Sequence, residues 1–257
     1  MLVYPNINPV ALQIGNFRIY WYGVMYLLSF LLIDFLAKRK ISSFSGNSNN
    51  KLTIEMINKS LNAALVGVLL GGRLGYVFFY GKEVIFFKIW EGGMSFHGGL
   101  IGVILSMALV SYFEKCPLLD LLDFWAPLVP IGLALGRLGN FINGELWGRI
   151  TSVKWGMIYP HVDHFARHPS QIYEFLTEGL MLFLILNFLR IFSFTKKRGV
   201  LSGVFLIGYG ISRLVCECFR EPDIQIGYIH GYFTMGQLLT IPLLLIGVWI
   251  LMRRNNE

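Results

Sequence analysis

The sequence predicts an all-α, polytopic membrane protein of about seven transmembrane helices. Three observations carry this expectation. Of the 257 residues, 55% are hydrophobic and 14% charged, with a mean hydropathy of +0.59, whereas a soluble domain carries roughly 25% charged residues. Apolar runs of near-spanning length recur along the whole chain, and about 20 mostly apolar residues suffice to cross a bilayer. Lysines and arginines gather in the short loops between those runs. The aromatic share of 15% suits interfacial belts and lipid-facing helices.

Taken in order, the N-terminal MLVYPNINPV lacks the basic start and cleavage site of a signal peptide, so the first apolar run is expected to remain in the mature protein. Spans are expected near 17–37, 60–80, 97–113, 118–136, 174–192, 200–218 and 234–252. The third and fourth are short, which leaves a re-entrant segment open as an alternative and makes six or eight the neighbouring counts. ISSFSGNSNNK (41–51) reads as a polar linker. With seven spans, Lys38, Arg39 and Lys40, then Lys196, Lys197 and Arg198, then Arg253 and Arg254 all fall on one side, joined by Lys51 and Lys115. Lys82, Lys88, Arg149, Lys154, Arg167 and Arg220 are spread thinly over the other side. Positive loops prefer the cytoplasm, so the N-terminus is expected outside and the C-terminus inside. The chain is expected to form one integral-membrane domain over 1–257, with its longest non-cytoplasmic loop near 137–173.

A net charge of +7 would suit nucleic acid, but no basic stripe with interleaved aromatics is present, and none is expected as a partner. Cys116 sits in a short loop, and Cys216 and Cys218 lie in an apolar run, which is neither a disulfide framework nor a zinc pattern. No H-E-x-x-H, Walker loop, paired-aspartate box or nucleophile elbow occurs. No metal or other cofactor is implied.

The informative residues are polar ones inside or beside the spans. Arg73 in GGRLGY, Arg137 in GRLGNFINGELWG and Arg213 in GYGISRLVCECFR each cost roughly 2.5–3.5 kcal/mol at a helix centre. Snorkelling to the interface is the plain alternative for any one of them. Tyr209, Arg213 and Glu217 share one helix face, with Arg220 about one turn further. That stripe either locks helix packing through an Arg213–Glu217 pair or lines a cavity for an anion. The segment 136–148 adds Asn140, Asn143 and Glu145 between glycines 136, 139, 144 and 148, which permit tight turns or close backbone approach. A turn of packing value only is the competing reading. His97 in GGMSFHGGL is flanked by glycine pairs, and Ser95 beside it is a weak nucleophile candidate. A histidine at a helix start is more often a cap or a packed residue. RHPSQIYE (167–174) opens the fifth span, where His168 and Gln171 cap the helix or line the site. This inventory suits binding a phosphate and moving one proton, without a covalent nucleophile of the protein's own.

GRLGNFINGELWG closely resembles the signature of the bacterial phosphatidylglycerol–prolipoprotein diacylglyceryl transferases. MSFHGGLIG, RHPSQIYE, WYGVMY and the GYGISR…E..R stretch also look like that family's blocks, in the right order over essentially the whole chain. The arm at 150–167 is shorter than the family suggests, and Cys216 and Cys218 stand where plain apolar residues are expected. The resemblance implies transfer of the diacylglyceryl group of phosphatidylglycerol to the thiol of a lipobox cysteine in a prolipoprotein signal peptide, with glycerol phosphate leaving. It places the enzyme in the bacterial inner membrane, in contact with membrane lipid, and the loop charges put its site at the outer leaflet. Under it, Arg137 grips the phosphate with help from Asn140. Arg213 is a second phosphate contact or stabilises the leaving group, oriented by Glu217. His97 leads as general base, with a glutamate as the other candidate. Tyr22, Glu145, His168 and Tyr209 line the site, and Gly148 shapes the loop. The rival class is a small transporter or channel for an anionic solute, which predicts internal repeats that the halves of the chain do not display.

Overall fold

Lipid offers no hydrogen-bond partners to the backbone, and an α-helix satisfies its own, so helices carry most of this apolar chain. The computed structural model describes residues 2–44, 52–80, 95–192, 197–222, 227, 229 and 232–253. Its helices are α1 (Trp21–Phe44), α2 (Ile54–Tyr80), α3 (Phe96–Phe113), α4 (Leu118–Trp125), α5 (Val129–Ile142), α6 (Ser170–Glu174), a π-helical segment (Phe175–Met181), α7 (Leu182–Leu189), α8 (Val200–Glu217) and α9 (Met235–Arg253). Five stretches are long and apolar enough to cross a membrane: Trp21–Ile41, Ile54–Phe78, Ser170–Leu189, Val200–Glu217 and Met235–Arg253. The bent pair α4 and α5 makes a sixth candidate, and Gly98–Phe113 is apolar but shorter. The protein is an integral membrane protein, mostly helical, with five to six candidate spans by length and composition.

Three expectations are corrected in detail. Residues 17–20 belong to a strand rather than to the first span. The segment after 136 is not yet loop: α5 runs on to Ile142, so Arg137 and Asn140 are helical. The chain is also not purely α. β2 (Val10–Ile14) and β3 (Phe17–Tyr20) form an antiparallel hairpin, and β1 (Leu2–Val3), β4 (Met157–Ile158) and β5 (Ala166–Arg167) form a small sheet in the order β1-β4-β5. β1 pairs with β4 in parallel, Leu2 opposite Met157.

Two compact units are present, 1–33 with 125–257, and 34–124. In the second, α2 and α3 run antiparallel and in close contact. A Cβ on Gly75 would lie 2.8 Å from the Gly98 Cα, and one on Gly67 would lie 2.5 Å from the Gly102 carbonyl. Small residues at this spacing let membrane helices pack backbone to backbone. Ser95 caps α3 by accepting from the Gly98 amide at 3.2 Å, which gives that serine a structural occupation. Arg73 is buried, with its guanidinium 5.8 Å from the centre of the Tyr76 ring.

In the first unit, α5 packs on the π-helical segment, where a Cβ on Gly179 would come within 2.5 Å of the Ala134 Cβ. α8 packs on α9 through Gly203 and Gly247, each meeting the carbonyl of the other at 3.0–3.1 Å if given a Cβ. The β1–β4–β5 sheet brings Tyr4 into an aromatic cluster. Its ring stacks on Tyr159 at 5.2 Å and meets Phe141 edge-on at 5.6 Å, and its hydroxyl donates to the Ile142 carbonyl at 2.7 Å.

Candidate active site

The segment 136–148 begins as the last turns of α5 and ends as a tight loop. Asn143 closes the helix, Gly144 takes φ +65° and Leu146 φ +59°. A leucine in that left-handed region is strained and persists only where its surroundings hold it. Here they do: Ser170 donates to the Leu146 carbonyl at 2.7 Å and Gln171 to the Glu145 carbonyl at 2.6 Å, both from fully buried side chains. Tyr159 donates to Gln171 at 3.1 Å, and His161 Nε2 sits 2.8 Å from the Gly144 carbonyl. RHPSQIYE therefore serves as the brace of the loop before it. Gly148 donates its amide to the His168 carbonyl at 2.9 Å and forms a bridge with Arg220. A Cβ there would collide with the backbone carbonyls of His168 and Phe219, so only glycine fits.

The loop presents Glu145 to a cavity of about 550 Å³ lined by Tyr20, Tyr22, Gly23, Asn143 and Glu145. Asn140 donates to Glu145 Oε1 at 2.8 Å and Asn143 to the same oxygen at 3.5 Å. Among the described residues, no hydrogen bond uses the second Glu145 oxygen, and the Asn143 side-chain oxygen Oδ1 is buried without a partner. Asn140 is thus tied to Glu145 across the turn. The Tyr22 hydroxyl pairs with that of Tyr26 at 3.3 Å. Its ring packs against Gly139, where a Cβ would sit 3.0 Å from it.

Behind the loop lies a buried ion cluster. Arg137 contacts Glu178 through Nε at 3.2 Å and Nη2 at 3.0 Å, and Glu174 through Nη1 at 3.3 Å. Arg213 bonds Glu174 at 2.5 Å and Glu217 at 2.8 Å, and lies 3.7 Å from Glu178. Arg220 reaches Glu174 at 3.7 Å. Thr234 donates to the other Glu217 oxygen at 2.9 Å. The three arginines face three glutamates, so the cluster is formally neutral. Charges taken from water are tolerated only when paired this way. The pairing is incomplete in one respect: Glu174 Oε2, Glu178 Oε1 and Glu217 Oε2 have arginine nitrogens at ion-pair distance but no hydrogen bond of good geometry. Tyr209 lies within electrostatic reach of Arg137, Arg213, Glu174 and Glu178. Tyr22, in turn, feels both Glu145 and Arg137, which links cavity and cluster.

The first unit therefore brings together Tyr22, Arg137, Asn140, Glu145, Tyr209, Arg213 and Glu217. His168 does not line the cavity and makes no side-chain cap. Its Nδ1 is 3.0 Å from the Tyr173 hydroxyl, and its ring packs on Phe219 at 5.1 Å. Burial holds this imidazole below its ordinary pKa. The backbone of His97 lies in the first turn of α3, in the second unit, and its side chain lies outside the described residues. The sequence reasoning missed Glu174 and Glu178 as the arginines' partners. Two acids four residues apart at and inside an apolar span were the available signal, by the same cost that singled out the arginines.

A family model described as prolipoprotein diacylglyceryl transferase matches residues 9–253. The chain belongs to the prolipoprotein diacylglyceryl transferase family. It is 51% identical to a protein of Legionella pneumophila (strain Lens) named phosphatidylglycerol–prolipoprotein diacylglyceryl transferase, over 97% of this chain and 98% of the relative. A Marinomonas protein of the same name is 48% identical over 98% of this chain and 94% of its own length. One from Nitratidesulfovibrio vulgaris is 45% identical over 98% and 96%. Membership in the transferase family disfavours the transporter alternative, since every helix and loop described above falls within the matched region except the first strand.

Proposed function

We propose that this chain transfers the diacylglyceryl group of phosphatidylglycerol to a prolipoprotein, and that the acceptor is the thiol of a lipobox cysteine. The full-length family match carries this reading. The sulfur attacks the glycerol carbon that bears the phosphate ester, the C–O bond breaks, and glycerol phosphate leaves with the electron pair. A thioether forms, and the thiol proton passes to a base. Negative charge grows on the departing phosphate, where charge-assisted donors act best. Arg137 is assigned to the phosphate, with Arg213 as second contact or leaving-group stabiliser held by Glu217. Asn140 assists Arg137 at the phosphate, Tyr22 and Glu145 line the approach, Tyr209 flanks the arginines, and Gly148 sets the loop. His168 braces the loop. A thiol attacks as thiolate, and the acceptor of its proton is assigned to His97, with Glu145 as the second candidate because it faces the cavity with an oxygen to spare. His97→Asn and Glu145→Gln separate them: the base variant loses turnover at little cost in lipid affinity.

We further read the chain as one membrane domain with seven spans, N-terminus outside, C-terminus cytoplasmic, and the site at the outer leaflet of the inner membrane. Loop charges support the orientation. Parity supports the count. Leu2 pairs with Met157, so an even number of crossings must separate them. α1 and α2 supply two, and α3 and the α4–α5 pair then cross together or not at all. The antiparallel, glycine-lined return of α3 along α2 favours both crossing. Purified protein in detergent, given radiolabelled phosphatidylglycerol and a lipobox peptide, should produce labelled peptide. The absence of transfer by folded protein would defeat the assignment.

A further inference from the structure

The Arg137 guanidinium is gripped along one edge. Nε and Nη2 both donate to a single Glu178 oxygen, at 3.2 and 3.0 Å, while Nη1 makes only an ion-pair contact with Glu174. Among the described residues no hydrogen bond uses Nη1, so the end-on edge of the fork keeps N–H groups for a second anion. Glu178 itself is fully buried and its Oε1 has no hydrogen-bond partner. Charge balance in the cluster calls for a third acid beside Glu174 and Glu217, but not for this geometry, in which one Glu178 oxygen takes both N–H groups of the Arg137 side edge.

The backbone supplies an independent observation. The span leaves α geometry over Phe175–Met181, with Glu178 in the middle of the π-helical segment. Such turns are rare and collect at functional sites. This one presses Gly179 against Ala134, three residues before Arg137 on α5. The element that carries Glu178 is thus fixed directly to the helix that carries the arginine.

We propose that Glu178 is a positioning residue that acts through Arg137, holding the guanidinium side-on so that its end-on edge meets the phosphate of the lipid. This inference rests on the transfer reading above. Replacing the carboxylate by an amide of the same shape leaves Arg137 charged but takes the charge from the two bonds that fix it, so the grip on the guanidinium loosens. Misplacing a catalytic contact by about 1 Å costs on the order of a hundredfold in rate.

The test measures kcat and KM for phosphatidylglycerol in mixed micelles, with a lipobox peptide as acceptor and rates normalised to folded protein. Glu178→Gln is expected to lower kcat on the order of a hundredfold while KM stays level or falls, because one carboxylate fewer competes for the guanidinium. Arg137→Lys and the double variant Arg137→Lys/Glu178→Gln are expected to share one kcat, since the glutamate has no further route to the reaction. Unchanged kcat per folded molecule, a rise in KM alone, or losses that multiply in the double variant would each overturn the proposal. If Glu178→Gln does not fold, Glu178→Asp takes its place, and failure of both to fold would make Glu178 structural and end the proposal. A wild-type protein that forms no thioether would instead defeat the transfer reading itself.

Discussion

Arg137 carries the largest single expectation. A lysine would keep the charge but could not present a planar fork to Glu178 on one edge and phosphate on the other. Arg137→Lys is expected to insert and fold, yet to lose roughly a hundred- to a thousandfold in transfer rate, the usual cost of one electrostatic donor. Full activity in the lysine variant would remove the phosphate role. The cysteines point the opposite way. Cys216 is buried with its sulfur 3.2 Å from the Thr177 hydroxyl, Cys116 is buried and Cys218 exposed. No cysteine is among the residues that line the cavity and none is assigned a role in the reaction, so joint replacement of Cys116, Cys216 and Cys218 by alanine is expected to retain most activity in the transfer assay. His168 gives a pH effect. Its folded pKa is lowered by burial, so below the unfolded value of about 6.5 the unfolded chain binds more protons than the folded one. Stability is then complete above that pH and declines as the solution is acidified through it. Thermal unfolding between about pH 5 and 8 should show a shallower decline for His168→Gln; an identical profile would rule the residue out.

Gly148 ties three segments together, and its replacement is a test of the loop as a unit. Gly148→Val would push a side chain into the His168 and Phe219 carbonyls, an overpacking cost of about 1–3 kcal/mol. Folded yield and transfer rate should fall together, whereas the flanking Gly136, with nothing within 4 Å of its missing Cβ, should accept alanine. That contrast was not legible in the sequence, where the four glycines of the segment look alike. The long helices were legible, because lipid demands contiguous apolar residues: five expected runs fall on helices long and apolar enough to cross, one on the bent α4–α5 pair, and one on the shorter helix Gly98–Phe113. The π-helical turn has no local signature and could not be read. The two-residue strands could not be read either, since Leu2 and Met157 find each other only in three dimensions. The arginines were found by their cost in lipid, but their acids were overlooked. Glu174 closes a motif that drew attention to its histidine, and Glu178 sits alone in an otherwise apolar stretch. Asn140 was expected to help Arg137 grip the phosphate; what could not be read is its bond to Glu145 at 2.8 Å, made across the turn that follows α5.

Across the chain as a whole, the pairing of Leu2 with Met157 and the loop charges lead to the expectation that the two termini lie on opposite sides of the membrane. Reporter fusions at the two ends should give opposite signals, with the cytoplasmic one at the C-terminus. A cytoplasmic signal from both ends would break the strand pairing as well as the orientation. Tyr4→Phe tests the same region more gently: loss of the hydroxyl bond to Ile142 should cost about 1 kcal/mol in thermal stability with little change in lipid binding.

The place of Tyr4 also has a consequence for biogenesis. Tyr4 is made long before its partners, because Met157, Tyr159 and His161 follow only after α1 to α5. Until those helices have been made, the strand at Leu2 has no sheet to join, and the Gly144 turn has no aromatic floor. Early insertion intermediates should therefore be inactive and open to protease on that side, and closure of the tail onto the arm would mark the moment at which a threaded chain becomes an enzyme.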